Sequence, residues 1–203
     1  MKYTKIPADT LQTIQINAGV VAKSFDTSTG TVSNIFAATT GGLTVATNPA
    51  FVDFGEDVDN VPPNTYQFKQ IQYFDPTASG TFVTMSADLA KGLIGSAGYG
   101  KSGTPATEDT THIVPTHTLT LSSSAFDDFW VIGDYSDKNG ATNGGYVAVH
   151  IKHALNTAGF QWTSGKDAKG QFAFEYHGHY DLNNIDDVPF EIYVKAGIDE
   201  PTT

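Results

Sequence analysis

Residues Gly170 to Leu182 read GQFAFEYHGHYDL, and their alternation decides the fold class. On an extended chain successive side chains change face. Phe172, Phe174, Tyr176 and Tyr180 therefore share one side, and Glu175, His177, His179 and Asp181 the other. An aromatic face set against a polar one at period two is a strand packed on one side only. Just upstream, AGFQWT and the turn residues SGKDAK make this strand the second half of a hairpin. YVAVHIKHAL (146–155) is another strand, and VPFEIYVKAG alternates Phe190, Ile192 and Val194 against Glu191, Tyr193 and Lys195. Nearer the start, Ile14 and Ile16 alternate with polar neighbours, turn glycines stand at Gly30 and Gly41-Gly42, and a short strand runs from Leu43 to Thr47. With Thr, Val, Ile, Tyr and Phe recurring in short runs, a mainly β protein is expected.

The chain of 203 residues fits one domain, 1–203, and is long enough to bury its own core. It contains no cysteine, which excludes disulfide and thiolate chemistry. No apolar run reaches membrane-spanning length, so no membrane partner is expected. The formal net charge is -11, and every basic residue is a lysine. Without arginine's planar fork and with excess negative charge, close and stable binding of nucleic acid is not expected. A surface that repels it remains open.

Four stretches invite sharper readings. GSAGYGKS (95–102) has the spacing of a phosphate-binding loop, but that loop needs a strand before it and a helix after it. Here SADLAKGLI precedes it, reading as a short helix with Ser86 as N-cap, Asp88 in the first turn, and Leu89 and Leu93 on one packing face. GTPATEDTTHIVP follows without a helical stripe, so residues 95–111 read as a flexible loop. DFGEDVDNVPPN (53–64) gathers Asp53, Glu56, Asp57 and Asp59 without the spacing of a calcium loop, and reads as a solvated acidic loop. TYQFKQIQYF, the turn DPTASG and TFVTM read as a hairpin over Tyr66–Met85. Neither face of its first strand is polar throughout, so Tyr66, Phe68, Ile71, Tyr73, Phe74 and Phe82 are candidates for contact with another subunit. In SSSAFDDFW, Phe126, Phe129 and Trp130 at i, i+3 and i+4 predict a second short helix ended by Gly133.

His177 and His179 with Glu175 form a weak metal candidate that needs a further ligand from a neighbouring strand; His150 and His153 have opposite parity on theirs. A polar sheet face with ordinary histidines is the simpler reading. No nucleophile accompanies them, so no catalytic residues and no cofactor are expected, and the chain is not read as an enzyme.

Taken together, TTGGLTVATNPAFVDFGEDVDN, GTFVTMSADLAKGLIG, FWVIGDYSDKNGATNGGYVAVHIKHALNTAGF, KGQFAFEYHGHYDL and VPFEIYVKAG resemble the major tail proteins, or tail tube proteins, of long-tailed phages of Gram-positive bacteria and related prophages. The resemblance extends over nearly residues 11–197 and rests on the whole rather than on one motif. It implies a β-sandwich or barrel-like subunit with a flanking helix, a hairpin arm and long loops, and no C-terminal immunoglobulin-like domain. It also implies self-assembly into hexameric rings stacked as a tube in the virion tail, assembled in the host bacterial cytoplasm. The implied partners are further copies of the chain, the tail terminator, tape measure and distal tail proteins, and double-stranded DNA passing through unbound. On that resemblance the arm within Tyr66–Met85 packs on a neighbouring subunit. The acidic loop, residues 95–111 and the N-terminus then become candidates for contacts between rings. A reading of another class is a β-sandwich module binding carbohydrate or a host surface, for which Trp130, Trp162 and the tyrosines are the available aromatics.

Overall fold

The computed structural model describes residues 15, 19–134 and 144–197. Thirteen strands are named among them: β1 (Val20–Asp26), β2 (Thr31–Ile35), β3 (Thr39–Ala46), β4 (Pro49–Asp53), β5 (Lys69–Phe74), β6 (Thr77–Phe82), β7 (Ala97–Ser102), β8 (Thr107–Pro115), β9 (Asp127–Asp134), β10 (Tyr146–Asn156), β11 (Gln161–Thr163), β12 (Gln171–His177) and β13 (Phe190–Lys195). One α-helix, α1 (Ala87–Ile94), and two single 3-10 turns complete the list, so the protein is mainly β, as its alternation predicts. The strand expected around Ile14 and Ile16 lies outside the described residues.

All ladders are antiparallel, and β10 joins two layers. Its first half, Tyr146–Ile151, pairs with β9 on one side and β13 on the other, and β9 leads on to β1 and β2. Its last residues, Leu155 and Asn156, pair instead with β12. Between them the register shifts at Ile151/Ala154, and His153 takes a positive φ of 47°. An irregularity of this kind bends a strand, and here it carries β10 from one sheet into the next. The second sheet is built on β12, flanked by β6 and β3 on one side and by β11 and the end of β10 on the other.

The main core fills the space between these sheets. Val21, Phe129 and Ile151 from the first meet Ala78, Phe82, Phe174 and Tyr176 from the second. Phe82 stacks on Phe174 at 4.2 Å between ring centroids, and Phe129 on Tyr176 at 4.3 Å. The aromatic side of the Gly170–Leu182 stretch is thus the buried one. Close packing explains two glycines: a Cβ at Gly80 would come within 2.9 Å of the Phe174 ring, and one at Gly178 within 2.7 Å of Ile151. A smaller cluster of Ala22, Phe25, Trp130, Ile132, Tyr146 and Ala148 covers the opposite face of the first sheet.

α1 closes one end of the core as the sequence predicts. The Ser86 hydroxyl accepts a hydrogen bond from the Leu89 N–H at 3.2 Å, Asp88 sits in the first turn, and Leu89 and Leu93 are buried. At the other end, the buried Asn156 donates from Nδ2 to the Leu93 carbonyl at 2.6 Å and accepts the Glu175 N–H at 2.8 Å. One polar side chain thereby ties an orphan helix carbonyl to the junction of the two sheets.

Three local expectations are corrected. Phe126, Phe129 and Trp130 do not form a helix: a 3-10 turn at Ser123–Ala125 leads directly into β9, which carries Gly133 in its interior. Three aromatics at helical spacing over so short a run also fit a strand covered on both faces, and Phe129 and Trp130 enter the two different clusters. Residues 95–111 are not a loop, because β7 and most of β8 form a two-stranded ribbon there. The Tyr66–Met85 hairpin does not close on itself. Asp75-Pro76 is a corner rather than a hairpin turn: the Asp75 N–H bonds the Asn48 carbonyl, and the Pro76 carbonyl accepts the Gly178 N–H. β5 consequently pairs with β4, while β6 pairs with β3 and β12.

Candidate assembly surfaces

The arm expected of the Tyr66–Met85 segment exists with other boundaries, as β4 and β5 with the acidic loop at its tip. Its ladder runs from Pro49↔Phe74 at the root to Asp53↔Lys69. The tip is locally organised. Asp53 Oδ1 accepts the Gly55 N–H at 2.9 Å, Phe54 N–H donates to the Phe68 carbonyl at 3.1 Å, and Gly55 lies against the Phe68 ring. Glu56, Asp57 and Asp59 are exposed, and Asp53 is half-buried.

The arm's apolar groups are in the open. Tyr66 is 81% exposed, Phe51 57%, Phe54 59%, and Ile71 and Tyr73 50% each. A two-stranded ribbon has no second layer of its own and is marginal when isolated in water. Phe68 and Phe74 are half-buried, and Phe74 anchors the root, 5.4 Å from Phe190 with its N–H on the Tyr180 hydroxyl at 2.9 Å. Phe82 belongs elsewhere: it is fully buried in the main core and is not a subunit-contact residue. Its parity on β6 and the Asp75-Pro76 corner separate it from the arm.

Other surfaces are open as well. Among the described residues β13 pairs with β10 alone, β2 with β1 alone and β3 with β6 alone. β13 also turns its apolar side outward: Ile192 is 54% and Val194 61% exposed, while Tyr193 packs against the cluster around Trp130. An alternation pattern names the two sides of a strand but not which of them is covered. On β11, Trp162 is 65% exposed, beside Phe160 at 44%.

The histidines are separated by their partners. His177 Nδ1 lies 2.8 Å from Asp75 and its Nε2 3.4 Å from Glu175. His179 Nδ1 lies 3.0 Å from the His153 carbonyl. His150 is stacked on Trp130 at 4.1 Å, with Asp128 3.1 Å from its Nε2. Among the described residues no group of three or more such side chains is arranged to hold a metal ion, so the Glu175, His177 and His179 candidate is not assembled.

A cleft of about 800 Å³ lies between α1, β2 and the chain leading into β9. Ser86, Thr118, Ser122 and Ser124 contribute hydroxyls, and Lys23 is paired with Asp127 at 2.5 Å near the Tyr176 hydroxyl. That hydroxyl is buried, which pushes its pKa far above the ordinary phenol value. Burial thus favours the neutral phenol, whose hydroxyl has no hydrogen-bond partner among the described residues.

Two further electrostatic features stabilise elements rather than forming a site. Asp26 accepts Ser28 N–H and Oγ–H and Thr29 N–H, which fixes the β1–β2 turn and lowers its carboxyl pKa to about 2. Lys152 bridges Asp187 at 2.9 Å and Glu191 at 2.7 Å beside the arm's root; those partners raise its pKa, and Lys152 together with the Tyr193 hydroxyl lowers that of Glu191.

Compared with known proteins, the chain matches no family model and no curated protein. Among the described residues no helix is long and apolar enough to cross a membrane.

Proposed function

We propose that this chain is a structural subunit of a phage tail tube, assembling through copies of itself into rings that stack around a channel for double-stranded DNA. The observation that carries the reading is the arm: a two-stranded ribbon whose Phe51, Ile71 and Tyr73 stand in water at 50% exposure or more. Such groups are stabilised when a further layer covers them, and identical copies are the simplest source of one. The edges of β2, β3 and β13 that are unpaired among the described residues support it, since such strand borders are templates for a neighbour's strand. Charge supports the channel. Duplex DNA carries one charge per roughly 1.7 Å, so lysines facing it would add up to a brake over many rings, which a net-negative subunit without arginine avoids. Within this reading the protein works in the virion tail after assembly in the host cytoplasm, beside terminator, tape measure and distal tail proteins. It performs no catalysis and needs no cofactor.

Light scattering followed by negative-stain electron microscopy of the concentrated protein tests the proposal. Annular or tubular particles are the expected result, and a protein that stays monomeric even with its assembly partners overturns it. The exposed Trp162 favours one second reading, a surface module for carbohydrate. Glycan binding without rings would establish that one instead.

A further inference from the structure

The arm and the β11–β12 hairpin leave the second sheet at opposite ends. At one end Ala46 and His177 pair with Thr77, and there the chain enters and leaves the arm. At the other end Thr39 and Phe172 pair with Phe82, and there Trp162 pairs with Phe172. Five strand steps, roughly 17 Å, separate the two ends.

The two extremities are opposite in chemistry as well as in place. The arm's tip holds Asp53, Glu56, Asp57 and Asp59, and no lysine lies between Asp53 and Asn64. The lysine that follows, Lys69, is held by Asn64 Oδ1 at 2.5 Å. Phe54 and Val58 are exposed among those carboxylates. The turn of the β11–β12 hairpin, residues 164–170, carries Lys166 and Lys169 against the single acid Asp167, and Trp162 on β11 stands exposed. Neither lysine has an ion pair with a carboxylate among the described residues. In a chain with twice as many carboxylates as lysines, two such lysines in one hairpin with an open indole are an uncommon patch.

We infer that the acidic, apolar tip of one copy's arm docks on the β11–β12 hairpin of the next copy. Trp162 is the apolar anchor against Phe54 and Val58, and Lys166 and Lys169 meet Glu56 and Asp57. Aromatic anchors ringed by complementary charge are the usual anatomy of a specific contact. Because donor and acceptor surfaces differ and lie at opposite ends of one sheet, the contact is head-to-tail, and a docked pair keeps one unfilled tip on one copy and one unfilled receiving surface on the other. This deepens the tube reading by assigning which surface receives the arm, and it rests on that reading only for the order of copies within a particle.

The cysteine-free chain allows a direct test. Asp57→Cys and Lys166→Cys proteins, prepared separately, are mixed and oxidised. The expected product is a disulfide-linked heterodimer, formed severalfold faster than any dimer of either variant alone. No heterodimer, or equal dimer formation by each variant alone, overturns the inference. In a second arm, Lys166→Glu with Lys169→Glu weakens self-association about tenfold, as the loss of two rim charge pairs allows. Adding Glu56→Lys with Asp57→Lys restores it. Failure of that rescue also counts against the contact. Electron microscopy of the unaltered protein separates the two claims: rings or tubes without the heterodimer remove the docking contact and leave the tube reading, while the heterodimer without closed or stacked particles does the reverse.

Discussion

The main core and the arm use the same residues to opposite ends. Between the sheets Phe82, Phe129, Phe174 and Tyr176 are buried and stacked. Along the arm Phe51, Tyr66, Ile71 and Tyr73 stand half or more in water. The difference lies in the layer opposite. β12 faces β9 and β10 across the sandwich, whereas β4 and β5, beyond the Phe74 contacts at the root, have no second layer among the described residues. The apolar content of a strand therefore measures its need for cover, and the topology decides whether the chain or a neighbour supplies it.

The sharpest way to break the comparison is a truncation on each side of it. Phe129→Ala opens a void where Phe36, Phe174 and Tyr176 meet, and costs about 3–5 kcal/mol in urea unfolding. A loss below about 1 kcal/mol would mean that the two sheets are not packed as described. A smaller effect belongs to the joint between core and arm. Lys152→Ala removes the bridge to Asp187 and Glu191, whose side chains are partly solvated, and costs about 1 kcal/mol. Its pH dependence has a definite sign. The Glu191 carboxyl is depressed, so its contribution is present above the ordinary 4.5 and fades as pH falls through the lowered value. The Lys152 amine is raised, so its contribution is present below 10.5 and fades as pH rises through the raised value. Thermal melts of the wild type and Lys152→Ala converge at both extremes if this is right. The smallest effect on the subunit itself comes from Ile71→Ser with Tyr73→Ser, within about 0.5 kcal/mol, because nothing in the fold is left uncovered. The same pair abolishes self-association if the arm's cover comes from another copy, and unchanged sedimentation would place the arm outside the contact.

How much of this was legible beforehand follows from what alternation can carry. The β12 hairpin, β10, β13 and the Ser86-capped helix were readable because each signal is local: parity, a turn cluster, or a cap three residues from its partner N–H. Partner choice was not. Asp75-Pro76 reads as a hairpin turn until the carbonyls of Asn48 and Pro76 are seen to be engaged elsewhere, and those engagements cross long stretches of chain. Sequence alone consequently puts Phe82 on the arm, whereas it lies in the core. The helix expected at Phe126–Trp130 failed for a related reason, since a segment buried on both faces has no single period. The acidic tip reads as a solvated loop and is exposed, whereas Trp162 looks like any strand aromatic until its exposure is known.

The root of the arm has a mechanical side. Bonds from Asp75 to Asn48, from Phe74 to Tyr180 and from Gly178 to Pro76 fasten it within a few residues of the point where it leaves the sheet. Tension applied at the tip would pass down β4 and β5 into β3 and β6, and would draw those strands lengthwise past their neighbours. Their ladder rungs lie across that direction and share the load, so they must fail together rather than one after another as in an unzipping pair. A limb fastened in this way tears out only when the sheet behind it shears.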